Sequence, residues 1–133
     1  MRPARAGNFA TPLNAYTLAD DTVKDALKKM LEFNISKIAV CNKNFKIIGG
    51  ISKNQIKNLL KNQKTSNIDA IQKYLTKDIL DNGAELALAY TGSNIREVTS
   101  AMQMLNLKLM PVVKSPWDRE LKGFLELKHL KGI

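Results

Sequence analysis

Apolar residues recur along this chain with a helical period, then with a strand-like one, and the same alternation then appears a second time. Val23, Ala26, Leu27, Met30 and Leu31 form an i, i+3/i+4, i+7 stripe, the pattern of an amphipathic helix. Ile95, Val98, Met102 and Leu105 do the same. Asp21 and Ser93 stand where each helix should begin, with side-chain oxygens suited to accept orphan amide protons. Asn34 and Asn106 follow the stripes, and asparagine tolerates the left-handed conformation that ends many helices. Two short apolar runs then predict a hairpin in each half: 38–41 with 45–48, and 109–113 with 121–125. The first turn is Asn42-Lys43-Asn44 and the second is the polar stretch 114–120. A closing helix is expected from 52 to about 62, and again from 126 to the C terminus. Ile68, Ile71, Leu75 and Ile79 mark one more helix, ending near Gly83.

Superimposing the two patterns exposes an internal repeat displaced by 72 residues. Ala15-Tyr16-Thr17-Leu18 faces Ala87-Leu88-Ala89-Tyr90, and Val23-Lys24-Asp25-Ala26 faces Ile95-Arg96-Glu97-Val98. Met30 faces Met102, Asn34-Ile35 faces Asn106-Leu107, and Ile38-Ala39-Val40-Cys41 faces Met110-Pro111-Val112-Val113. After a two-residue insertion, Ile48-Gly49 matches Lys122-Gly123. Each copy reads strand-helix-strand-strand-helix, so the predicted class is α/β (α+β), with parallel pairing across the intervening helix. The expected organisation is a repeat over 10–62, a polar linker over 63–67, and a second repeat with its leading helix over 68–133. At this size each half alone would bury too little, so the halves should need each other.

Composition narrows the classes. The chain has 133 residues, 44% apolar and 25% charged, which suits one packed domain or two small ones. Arg2 and Arg5 have no apolar run behind them, so a signal peptide is not expected, and no stretch is long enough to span a bilayer. Cys41 is the single cysteine and His129 the single histidine, which argues against a disulfide framework or a transition-metal site. The expected compartment is the cytoplasm, or the cytoplasmic face of a membrane protein.

The net charge of +9 is lopsided. Residues 1–66 carry twelve basic groups against four acidic; residues 67–133 carry nine against eight. Seven lysines and no acid lie from Lys37 to Lys64. Such asymmetry suits an anionic partner, while its plainer meaning is a solvated, soluble surface. Lys53, Lys57, Lys61 and Lys64 line one face of the predicted helix at 52–62, and a solvated face is the first reading, a docking surface the second. Phe45 is the only aromatic in the stretch, so a base-stacking platform is missing. Nucleic acid is therefore not the expected partner, and charge alone would offer only attraction to phosphate.

Catalysis has little to draw on. Cys41 sits in an apolar strand, where a thiol is normally inert. Asp20-Asp21 lies at a helix start, where negative charge complements the dipole. There is no Walker-type loop and no GxGxxG. No catalytic residue and no metal ligand is assigned.

The residues do carry a resemblance. Thr22-Val23-Lys24-Asp25-Ala26-Leu27, then Asn34-Ile35-Ser36-Lys37-Ile38-Ala39-Val40, then Ile48-Gly49-Gly50-Ile51-Ser52 resembles a cystathionine-β-synthase (CBS) domain. The second copy is similar, with Asn106-Leu107-Lys108-Leu109-Met110-Pro111-Val112-Val113 and Leu121-Lys122-Gly123-Phe124-Leu125. Two in tandem form a Bateman module. The resemblance implies a non-catalytic regulatory module that pairs into a homodimer and binds AMP, ADP, ATP or S-adenosylmethionine as a regulatory ligand between the repeats. It requires no cofactor, and it regulates an attached or separate enzyme, channel or transporter. A module that had lost its ligand would instead serve as a dimerisation or docking platform.

In the family, Gly-x-x-Ser/Thr-x-x-Asp opens the last helix of each repeat: the hydroxyl and helix N-terminus meet phosphate, and the Asp accepts from ribose. This chain departs from it twice. Copy one reads Gly49-x-x-Ser52-x-x-Gln55, and copy two reads Gly123-x-x-Glu126-x-x-His129. By resemblance the first cleft would draw on Ser36, Lys37, Ser52, Asn54 and Gln55, with Asn82 and Ala87 at its mouth. The second, degenerate cleft would draw on Thr11, Ala15, Lys108, Glu126 and His129. Against these roles, Ser52 is also explained as a helix cap and His129 as a half-exposed helix residue.

Overall fold

The structure is a computed structural model, and it describes residues 4–62, 76 and 86–130. Two three-stranded sheets are present, ordered β1-β2-β3 and β4-β5-β6. The elements run β1 (Tyr16–Leu18), α1 (Val23–Phe33), β2 (Lys37–Cys41), β3 (Ile47–Ser52), α2 (Lys53–Asn62), β4 (Ala89–Tyr90), α3 (Ile95–Met104), β5 (Leu109–Ser115), β6 (Asp118–Glu126) and α4 (Leu127–Leu130). Each half is thus the α/β pattern that the repeat predicts. The leading helix expected over 68–83 lies outside the described residues, apart from Thr76.

The two copies fold by the same local rules. β1 pairs parallel with β2, and β4 with β5. The hairpins β2–β3 and β5–β6 are antiparallel. Asn34 and Asn106 both take the left-handed conformation, at φ 54° and 55°. There the Ile35 amide donates back to the Met30 carbonyl (2.9 Å), and the Leu107 amide to the Met102 carbonyl (2.8 Å). These bonds occupy carbonyls that would otherwise be orphaned at the helix end.

Helix starts differ from the expectation by one residue. The caps are Thr22, in a reciprocal box with Asp25, and Asn94, which accepts from the amides of Arg96 and Glu97. Asp21 and Ser93 are occupied one turn earlier. The Asp21 carboxylate accepts from the Leu18 amide (2.8 Å) and the Thr17 hydroxyl (3.0 Å), and Ser93 Oγ accepts from the Tyr90 amide (3.0 Å). Both therefore fasten the exit of a parallel strand.

The hairpin tips also differ. Phe45 is expected in a strand but sits in the turn at φ 59°, because Asn42 Oδ1 accepts from the amides of Asn44 and Lys46 and widens the loop. In the second hairpin, Ser115 pairs with Asp118, so the expected seven-residue turn shrinks to Pro116-Trp117. Polar residues there belong to strand, supported by the Lys122–Glu120 pair at 2.9 Å.

The chain divides into two compact units, residues 14–86 and residues 1–13 with 87–133. In the first, Val23, Ala26 and Met30 of α1 pack on Ile38, Val40, Ile51 and Ile56. Leu31, although on the predicted stripe, is 61% exposed. In the second, Ile95, Met102, Met110, Val112, Leu125 and Leu130 form the core together with Ala6 from the start of the chain. The Ala6 amide donates to Ser93 (2.8 Å), the Gly7 amide to Thr91 (2.9 Å), and Thr11 bridges antiparallel to Phe124. Gly123, at φ 151°, makes room: a Cβ there would lie 2.9 Å from the Thr11 carbonyl oxygen. The arm lies outside the repeat pattern, because its apolar residues are too few to show a period.

The left-handed position has a measurable consequence. Asn34→Gly should leave stability nearly unchanged, whereas Asn34→Ala should cost about 1 kcal/mol, the scale of a Cβ in left-handed conformation. Urea unfolding of the two variants checks this, and equal midpoints would contradict it.

Candidate functional site

In each repeat, the end of the antiparallel hairpin brings the residues singled out by the motif to one place. Lys37 and Ser52 are cross-strand partners at the end of β2–β3. The Lys53 amide donates to the Ser36 carbonyl (2.9 Å), which ties the entry to β2 against the first turn of α2. Gly50 lies close to the β2 backbone, and a Cβ on it would meet the Ile38 carbonyl oxygen at 3.3 Å.

Ser52 and Gln55 then close on each other. Ser52 Oγ accepts from the Gln55 amide (3.2 Å), and Gln55 Oε1 accepts from the Ser52 amide (2.7 Å). This is a reciprocal capping box, so the helix-cap role of Ser52 is real. It also engages the Gln55 oxygen that a ribose hydroxyl would need. Asn54 is exposed on the first turn of α2. Ser36, Lys37, Ser52, Asn54 and Gln55 are thus assembled within one compact unit. Ala87 belongs to the other unit, and Asn82 lies outside the described residues.

The second repeat copies the skeleton with different chemistry. The Leu127 amide donates to the Lys108 carbonyl (2.9 Å), the counterpart of the Lys53–Ser36 bond. Glu126 pairs across the hairpin with Leu109. Its carboxylate lies 3.1 Å from His129 Nδ1 and 3.8 Å from Lys128 Nζ. Thr11, through its bridge to Phe124, stands beside the same strand; its hydroxyl donates to the Phe124 carbonyl (3.2 Å). Thr11, Lys108, Glu126 and His129 therefore share one unit, and Ala15 belongs to the other. An anion at the start of α4 would face the Glu126 carboxylate.

Comparison with known proteins follows this geometry. Residues 14–62 match the family model of the CBS domain. Residues 14–62 are a CBS domain. The whole chain has the fold of CBS-domain proteins. It is similar to CBSX2, solved in complex with AMP, at 20% identity and TM-score 0.64 over 95% of this chain and 92% of that one. It is similar to the CBS domains of a transcriptional regulator from Streptococcus pneumoniae, at 18% identity and TM-score 0.64 over 96% of each. CbpB, solved in complex with c-di-AMP, matches at 11% identity and TM-score 0.67 over 94% of this chain and 80% of that one. No curated protein sequence matches the chain. No helix among the described residues is long and apolar enough to cross a membrane, and none of their His, Cys, Asp and Glu side chains group as a metal site.

Cys41 completes the chemical inventory of this CBS domain. It is fully buried in β2, and burial pushes its thiol from 9.0 up to about 11, with Lys29 acting weakly in the opposite sense. A raised thiol pKa means that the folded state favours the neutral form. Its contribution to stability is complete below pH 9.0 and is lost as pH rises towards 11. At pH 8 the native protein should resist a thiol-disulfide reagent that labels it rapidly once unfolded in urea; equal labelling rates would contradict this burial.

Proposed function

We propose that the chain is a non-catalytic regulatory module that binds an adenosine-type ligand weakly and transmits its presence to a partner enzyme, channel or transporter. The observation that carries this reading is the assembly of Lys37, Ser52 and the α2 N-terminus at one end of a CBS domain. A ten-residue helix start with a hydroxyl and a lysine beside it suits a phosphate. The AMP complex of CBSX2 and the c-di-AMP complex of CbpB support the ligand class. Ser36, Asn54 and Gln55 would complete the contact surface.

Weakness follows from the capping box. Gln55 Oε1 already serves the Ser52 amide, so it is a poor acceptor for ribose. An aspartate can close the same box, as Asp25 does on Thr22 in α1, and its charged carboxylate keeps acceptor capacity for ribose. The second repeat, with Glu126 held against His129, is the poorer candidate because a carboxylate repels phosphate. A competing reading, a ligand-free platform, is favoured by that same self-satisfaction of both motifs. The module is also proposed to pair into a homodimer: Leu31 is 61% exposed at the end of α1, and Met104 and Leu105 are 86% and 59% exposed at the end of α3 and just after it. Side chains of that size gain by being covered.

Calorimetry with AMP, ATP and adenosine tests the ligand. Gln55→Asp should tighten all three by about 1–2 kcal/mol, the scale of a charge-assisted hydrogen bond. Lys37→Ala should weaken AMP and ATP more than adenosine, because only phosphate senses the lost charge. Heat absent from wild type and from Gln55→Asp alike would overturn the sensor reading and leave the platform. Sedimentation tests the pairing: a dimer that becomes monomeric in Leu31→Lys with Leu105→Lys is expected, and a monomeric wild type would refute it.

A further inference from the structure

The exposed face of α2 combines features that solubility alone does not call for. Its sequence, Lys53-Asn54-Gln55-Ile56-Lys57-Asn58-Leu59-Leu60-Lys61-Asn62, repeats Lys-Asn at every fourth position for three turns. The apolar side is already committed, with Ile56 buried and Leu59 and Leu60 packed on the first-repeat core. Lys57 and Lys61 are exposed, and Lys53 is half-buried. Among the described residues none of the three has an ion-pair partner, whereas Lys114, Lys122 and Lys128 each have a carboxylate partner. Like charges at i, i+4 destabilise a helix. The helix has no acid in its first turn to offset them, and no acid lies anywhere from Phe33 to Asn62. A surface evolved only to stay wet would intersperse the signs, as the second half of the chain does.

We infer that this α2 face binds the phosphate backbone of a nucleic-acid duplex, without reading its sequence. Residues four apart on a helix rise by about 6 Å, a pitch comparable with that of successive phosphates along a strand. Lysine and asparagine are both common phosphate donors. The composition disfavours a protein partner, since protein interfaces are rich in aromatics and arginine and poor in lysine. A membrane is disfavoured because the apolar side of α2 is used internally and cannot insert. The lack of aromatic residues, which argues against single strands, is no obstacle here, because a duplex keeps its bases stacked and presents phosphate outward. Of the Lys-Asn residues on this face only Asn54 is also assigned to the adenosine ligand, and none of the three lysines is.

Fluorescence anisotropy of a labelled DNA duplex with the full chain, free of nucleotide, tests it. Three phosphate contacts should make the affinity fall about 40-fold between 50 and 200 mM salt. Lys53→Gln, Lys57→Gln and Lys61→Gln together should weaken binding at least tenfold. Lys114→Gln, Lys122→Gln and Lys128→Gln together, with the same change in net charge, should leave it within about twofold. Should the first triple variant lose its fold by circular dichroism, Lys57→Gln alone should lower the salt exponent by about one. Equal losses in the two triple variants, a salt exponent unchanged in Lys57→Gln, or capture by phosphatidylserine vesicles or polyglutamate but not by duplex would each overturn the assignment.

Discussion

Each repeat turns on one left-handed residue. An α-helix followed by a parallel strand must send the chain back beside the strand it came from, and only a few residues separate Phe33 from Lys37, or Met104 from Leu109. Asn34 and Asn106 make that reversal at φ 54° and 55°. The amide after each is then captured by the carbonyl of a methionine, Met30 or Met102, whose side chain is fully buried. The reversal and the core are therefore one interaction: the residue that anchors the helix on the sheet also accepts the bond that ends the helix. From this follow the parallel register of β1 with β2, the hairpin, and the position of the residues at its far end.

That dependence explains what the sequence disclosed. Positions fixed by packing and by backbone handedness repeat, so Val23/Ile95, Met30/Met102 and Asn34/Asn106 stood out and gave the fold. Local polar choices were harder to read. Asp21 and Ser93 are good capping residues, but in both copies the strand exit captures them first, and the cap passes to the next residue. The signal that separates the adjacent candidates is the acid three residues on, Asp25 after Thr22 and Glu97 after Asn94, where Asp21 and Ser93 have Lys24 and Arg96. Phe45 has a strand-former's side chain, yet the Asn42 amide oxygen bonds of the turn outweigh its preference.

Of the candidate site, the grouping of residues was readable and their occupancy was not. Motif spacing brings Ser52 to Gln55 and Glu126 to His129, since residues three apart share a helix face. Whether those side chains face a ligand or each other is decided by geometry. Ser52 and Gln55 accept from each other's amides at the start of α2, and the Glu126 carboxylate lies beside a histidine and a lysine. One skeleton therefore carries a neutral, amide-serving pair in one copy and a carboxylate beside a histidine in the other. These positions diverge in chemistry while Asn34 and Asn106 keep the same residue and the same left-handed turn.

The N-terminal arm sets a further constraint. Ala6 fills the second core, Thr11 pairs with Phe124, and Gly123 lacks a side chain where the arm passes. The second compact unit is consequently discontinuous, built from both ends of the chain around residues 14–86. Closing so long a loop costs entropy that grows only slowly with its length, so such an arrangement is affordable. It removes independence, however. A fragment cut at the polar stretch 63–67 would carry the second sheet without the arm, leaving its core without Ala6 and the Phe124 amide without the Thr11 carbonyl. The second sheet therefore depends on backbone from the start of the chain as well as from its own repeat.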